Sequence, residues 1–305
     1  MLSTKPFEVP RDLLARAKGR PAINMAIAGA GSVEVMQCVK SGIETGVLRP
    51  VVVGKRDKME GLAAQCGLAL AGIHIIEAEN EEAIAKASVA AVRAGDAKAI
   101  MKGDIHTNTL LRAVLDKTLG LRTGSRLSHV FHMTIPDCDR VLYIADGAVN
   151  VAPDLATLGV IINNAISMAI KLGTACPRVA VLSASEVPDE SVPSSILARD
   201  AALAAQAHWG EKARIQGPMA LDIAISPKAA LAKHMEGPVA GNADILIVPN
   251  IEMGNGLFKM MVHFMAAAAA GVVMGAACPI AVTSRSDPAQ ARLAAAIMCA
   301  LLAQD

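Results

Sequence analysis

Short apolar runs alternate with longer helical stretches along almost the whole chain, and this alternation restricts the fold more than any other feature. Residues 23–28 form a β-like run that gives way to GAGS and a helical stretch over 33–41. Residues 50–54 form a second run before a helix through 58–64, and 73–77 form a third. Asn80 caps a helix predicted over 80–94, with Glu81 and Glu82 in the first turn where the helix dipole favours acids. A short strand at 99–101 leads to a helix from about 107 to 119. The rhythm resumes with strands at 140–145, 177–183 and 244–248 and helices at 154–172 and 194–209. Such βα units with short loops predict a mostly parallel sheet covered by helices on both faces. Composition agrees: 53% of residues are hydrophobic but only 2% aromatic, so Ala, Val, Ile, Leu and Met must build the core. A β-sandwich would carry more Tyr, Phe and Trp. A chain of 305 residues can bury one large core or two smaller ones.

Twenty-nine basic and 28 acidic residues leave a net charge of +1, which argues against a nucleic-acid partner. Cys38, Cys66, Cys138, Cys176, Cys278 and Cys299 are scattered, without a CxxC pair, so neither a zinc site nor a disulfide framework is expected. A reducing cytoplasm is the expected compartment, and the charged N-terminal stretch lacks the apolar core of a secretory signal. Residues 264–284 are apolar for about the length of a membrane span. Pro279 interrupts them, however, and Ala and Gly contribute little to insertion. The stretch reads instead as a helix over 260–270 followed by a buried strand from Pro279 to Thr283.

In parallel sheets ligands bind beyond the carboxyl ends of strands. Six polar clusters sit there: KGD (102–104), ADGAVN (145–150), SASE (183–186), GPMALD (217–222), PNIEMGN (249–255) and TSRSD (283–287). The last follows a buried strand and precedes Pro288 and a long helix. Its hydroxyls, backbone N–H groups and guanidinium suit an anion; a plainer reading makes Ser286 or Asp287 a helix cap. Asn255 and Lys259 share a helix face, where Lys259 either contacts phosphate or merely snorkels. Gly29 and Gly31 hint at a dinucleotide loop, but Glu34 stands where the third glycine belongs. His129 and His132 could ligate a metal, yet without nearby acids or cysteines a hydrogen-bonded or buried pair is the better expectation.

Seven stretches, taken in order, resemble the phosphate acetyltransferase / phosphate butyryltransferase family. They are GLRTGSRLSHV (120–130), ADGAVNVAPDL (145–155), IINNAISMAIKLG (161–173), PRVAVLSASE (177–186), GPMALDIAIS (217–226), VAGNADILIVPNIEMGNGLFK (239–259) and GVVMGAACPIAVTSRSD (271–287). The short length and the LSHV and TSRSD segments look more like the butyryltransferase branch. The resemblance implies the reaction acyl-CoA + phosphate ⇌ CoA + acyl phosphate, with coenzyme A as substrate and no metal or organic cofactor. It implies a two-domain α/β fold like isocitrate and isopropylmalate dehydrogenases, with mostly parallel sheets covered by helices and an active-site cleft between the domains. Residues 1–130 and 272–305 would form the first domain and 131–271 the second, in a cytoplasmic homodimer with neither membrane nor nucleic-acid partners.

By the same resemblance, Ser284 is the serine at the reacting centre and Arg285 the arginine that holds phosphate bidentately. Asn255 and Lys259 match the family's GN…K segment. Asp146, Asn150, Glu186, Pro218 and Asp222 match recurrent cleft positions, and Arg122 and Ser128 fall where relatives contact substrate and CoA. One departure concerns the base: the acetyltransferase branch places an aspartate seven residues after the serine, where this chain has Ala291. Asp287 is the nearest substitute, as base or as helix cap, and the base is left unassigned. The competing readings are a dehydrogenase of the same fold, which needs clustered acids and a nicotinamide site, and a non-catalytic acyl-CoA-sensing domain.

Overall fold

The computed structural model describes residues 2–138, 140–284 and 287–304. The chain begins with α1 (Arg11–Ala17), β1 (Ile23–Ala28), α2 (Val33–Glu44), β2 (Leu48–Gly54), α3 (Arg56–Cys66), β3 (His74–Glu77), α4 (Glu81–Arg93), β4 (Ala99–Lys102) and α5 (Thr107–Val114). It continues with β5 (Ser128–Thr134), β6 (Val141–Ala145), α6 (Leu155–Lys171), β7 (Arg178–Leu182), α7 (Pro193–Trp209), β8 (Arg214–Met219), α8 (Leu221–Ile225), α9 (Pro227–Ala232), β9 (Ile245–Ile247) and α10 (Ile251–Met265). It closes with β10 (Ala268–Met274), β11 (Ile280–Ala281) and α11 (Ala289–Leu302). These elements form two compact units, one of Pro6–Ser125 with Ala270–Asp305, the other of Met1–Lys5 with Arg126–Ala269.

The first of these units orders its strands β3-β2-β1-β4-β11-β10. All neighbours are parallel except β10 and β11. β1 and β4 are buried almost end to end, as strands covered on both faces must be. The other unit orders its strands β5-β6-β9-β7-β8, with only β5 and β6 antiparallel. Its core runs from Phe131 and Ile144 through Leu246 and Leu182 to Met219 and Ile223. Parallel pairing puts the strand ends of each sheet on one edge. Residues 29–32, 102–104 and 282–284 therefore gather on one edge of the first sheet, and 146–150, 183–186, 220–222 and 248–255 on one edge of the second.

Helix starts are fixed locally, at Asn80 as expected and also at Asp154. Asn80 accepts a hydrogen bond from Ala83 N and caps α4, and Asp154 accepts one from Thr157 N and caps α6. The alanine-rich run corrects the sequence reading. α10 ends at Met265, Ala266 turns left-handed at φ 53°, and Ala268–Met274 is a strand rather than the end of a helix. Ala has the strongest intrinsic helix preference, yet propensity is a weak prior, and the antiparallel pairing of Val272 and Val273 with Ala281 and Ile280 of β11 overrides it. Among the described residues no helix is long and apolar enough to cross a membrane.

Candidate active site

Beyond the carboxyl end of β11, Thr283 is buried while the next residue, Ser284, is exposed. Ser284 N–H donates to Asp287 Oδ2 at 2.7 Å. Its carbonyl accepts from Arg292 Nη2 at 3.0 Å, and Arg292 Nη1 reaches Thr283 Oγ1 at 2.9 Å and the Lys102 carbonyl at 3.5 Å. Both polar groups of the Ser284 backbone are thus engaged by charged side chains. Arg292 is only 2% exposed, as is Lys102, whose ammonium donates to the carbonyls of Ile105 at 3.0 Å and Gly103 at 3.3 Å. Arg285 and Ser286 lie outside the described residues.

Asp287 is not the cap of the following helix. α11 starts at Ala289 with Pro288 as its N-cap and no side-chain cap bond, so the carboxylate serves the turn instead. The charge of Arg292 is also felt nearby. Glu34 is held below the ordinary carboxylate range, first by its own backbone N–H, then by the Ser32 hydroxyl, with Arg292 adding a smaller pull. Burial pushes the Cys38 thiol up to about 12 although Arg292 pulls the other way.

In the other unit, Asp146 follows β6 with 2% exposure. One carboxylate oxygen accepts from Ala148 N at 2.9 Å and Val149 N at 3.0 Å; the other accepts from Asn150 N at 3.2 Å and Asn150 Nδ2 at 2.6 Å. Asn150 Nδ2 also reaches the Leu127 carbonyl at 2.8 Å. The loop packs against α10 at Gly254, where a Cβ would stand 2.6 Å from the Asp146 carbonyl oxygen. Asn255 Nδ2 donates to the Gly147 carbonyl at 3.3 Å, and Lys259, one turn further, is exposed.

The remaining expected residues divide between surface and core. Glu186 and Asp222 share Lys233, whose ammonium lies 3.8 Å from one and 3.5 Å from the other. Lys233 caps the C-terminal end of α9, outside the polar clusters that hold the two acids, so the sequence did not single it out. Pro218 is buried in β8. Ser128 is buried and accepts from Asn164 Nδ2 at 2.9 Å, so its hydroxyl ties β5 to α6 rather than facing solvent. Arg122 is exposed and bridges through its backbone to Ala276.

The glycines after β1 have a packing reason. A Cβ on Gly29 would lie 2.8 Å from an Ile105 methyl, and one on Gly31 would lie 2.9 Å from Lys58 Nζ. They let the loop approach residues 103–105, where Gly29 O accepts from Asp104 N at 2.7 Å. His129 and His132 both lie in β5, where an odd spacing sends side chains to opposite faces. His132 meets Tyr143 edge-on, and His129 lies tilted against Phe131. Among the described residues no three His, Cys, Asp or Glu side chains group as a metal site.

Comparison with known proteins gives this edge geometry its context. The family described as phosphate acetyl/butaryl transferase matches residues 83–300. The chain is 37% identical to the phosphate acetyltransferase of Rhizobium meliloti over 301 residues, covering 98% of this chain and 94% of that one. It is 39% identical to the probable phosphate butyryltransferase of Bacillus subtilis (strain 168), covering 93% of this chain and 94% of that one. A solved branched-chain phosphotransacylase from Enterococcus faecalis V583 superposes with a TM-score of 0.80 at 33% identity, covering 92% of this chain and 99% of that one. The chain therefore belongs to the phosphate acetyl/butyryl transferase family and is a phosphate acyltransferase.

Proposed function

We propose that the chain moves a short acyl group, acetyl or butyryl, between coenzyme A and inorganic phosphate at Ser284. The observation that carries this reading is an exposed serine whose own peptide is held on both sides by charged groups, Asp287 on the N–H and Arg292 on the carbonyl. Phosphate attacks the thioester carbonyl, a C–O bond forms, the C–S bond breaks, and CoA leaves as thiolate. The carbonyl oxygen carries negative charge in between, and a hydroxyl donor fixed in advance stabilises that charge without reorganising. Ser284 supplies this donor. Arg285, by its place next to the serine in the family motif, holds the phosphate through its planar fork.

Asp287 is assigned here to holding Ser284 rather than to taking a proton, since its Oδ2 already accepts the Ser284 N–H. A dedicated base is not required for the reverse direction, because a free thiol is a few per cent thiolate at neutral pH. Asn255 and Lys259 are assigned to phosphate and CoA recognition, with Arg122 at the substrate side. Asp146 and Asn150 build the loop that carries Asn255's partner, Gly147. Glu186 and Asp222 act with Lys233, and Pro218 and Ser128 support from the core. Coenzyme A is the substrate and no other cofactor is invoked; a cytoplasmic homodimer is the expected form.

The test follows thiol release from acetyl-, butyryl- and octanoyl-CoA with and without phosphate. Exposed Cys138 and Cys176 make an enzyme-only blank necessary. Phosphate-dependent release with at least one of the two short chains supports the reading. Release from none of them overturns it, and release from octanoyl-CoA alone overturns the short-chain assignment.

A further inference from the structure

Arg292 is an odd residue for its position. It sits in the first turn of α11, among Ala, Leu, Ile and Met that are almost all buried, and is itself 2% exposed. The helix dipole disfavours a cation at an N-terminal turn, and burial disfavours any charge without strong partners. Its guanidinium is instead directed back onto the strand end. One nitrogen donates to Thr283 Oγ1 at 2.9 Å and the other to the Ser284 carbonyl at 3.0 Å.

We propose that Arg292 is a positioning residue for acyl transfer, fixing the rotation of the Ser284 peptide so that the hydroxyl is presented at one angle. The two prongs fall on consecutive residues, Thr283 and Ser284, which is what removes the rotation; a single contact would leave a hinge. Asp287 closes the turn from the other side through the Ser284 N–H. A planar fork does this and an ammonium does not. The inference rests on the acyltransfer reading above.

The experiment compares wild type with Arg292→Met, Arg292→Lys and Thr283→Val, recording kcat and the KM for phosphate and acyl-CoA separately. Native-state labelling of Cys38 monitors packing, because that thiol is buried and burial pushes it up to about 12. The expected result is a kcat reduced about 100-fold in Arg292→Met and about tenfold in Arg292→Lys, with both KM values within about threefold and Cys38 still unlabelled. Thr283→Val, which removes one prong without touching the cation, is expected to lower kcat about fivefold. If Arg292→Met does not fold, Arg292→Lys and Thr283→Val decide. Unchanged kcat in these variants overturns the proposal, as does a raised phosphate KM at constant kcat or a kcat loss matched by Cys38 labelling. Absence of phosphate-dependent release in wild type defeats the acyltransfer reading itself and is separate from any variant effect.

Discussion

Two loops at strand ends, 146–150 after β6 and 282–284 with 287 after β11, solve the same problem with opposite charges. Around Asp146 an acid lies inside and the backbone turns its N–H groups towards it, so the carboxylate is consumed by its own loop. Around Ser284 a cation lies inside and gathers a carbonyl and a hydroxyl, while the serine remains exposed. The first arrangement stabilises a shape. The second stabilises a shape around a serine that stays exposed. A conspicuous acid in a family motif is thus no guide to proton transfer until its acceptor sites have been followed.

The sharpest way to break this comparison is Asp146→Asn. It replaces an acceptor-only group with one whose NH₂ opposes backbone donors, and unfolding in urea should show a loss on the order of 3 kcal/mol. A variant as stable as wild type would mean that the loop does not depend on the charge. Gly254→Ala probes the same loop from α10. Its Cβ would meet two backbone atoms, the Asp146 carbonyl oxygen at 2.6 Å and Gly147 Cα at 2.8 Å. Neither can yield as a side chain does, so about 2 kcal/mol of destabilisation is expected from the same denaturation curves.

Asp287→Asn should behave differently from Asp146→Asn. The amide oxygen still accepts the Ser284 N–H, so the melting temperature should barely move and kcat should stay within about tenfold of wild type. If Asp287 were the base, kcat would fall by two orders of magnitude or more and the acidic limb of the pH–rate profile would vanish. The smallest effect concerns Glu34, which is ionised more readily in the folded state than in the unfolded chain. Its contribution is present above the unfolded value near 4.3 and is lost as pH falls through the lower folded value. The melting-temperature gap between wild type and Glu34→Gln should therefore close on acidification from pH 6 to about 3. A constant gap would show that the carboxylate has no preferential interaction in the fold.

The sequence revealed the βα alternation and the Asn80 cap because those rest on local chemistry. Asn80 caps through a contact three residues away, and Asp154, which the sequence reading did not single out, does the same. The strand β5 went unread because its SHVFHMT pattern is buried on both faces and shows no alternation. The Ala run misled for the opposite reason, a local helix preference overruled by the partner strand. At the candidate site, Ser284, Arg285 and Asp287 were named from adjacency in one motif. Arg292 was not, since a lone arginine in an apolar helix reads as a surface residue until its partners are known. Lys102 was named in the KGD cluster without a role and Lys233 was missed, since carbonyl partners and acids in other clusters leave no spacing signal.

The central claim is that the pinned Ser284 turn is where acyl groups pass between sulfur and phosphate. Trapping acyl phosphate with hydroxylamine tests it most directly, using butyryl-CoA, phosphate, and either wild type or Ser284→Ala. The account predicts hydroxamate formation by wild type and a rate about 100-fold lower in the variant, with unchanged melting temperature. Equal rates in the two proteins would contradict it.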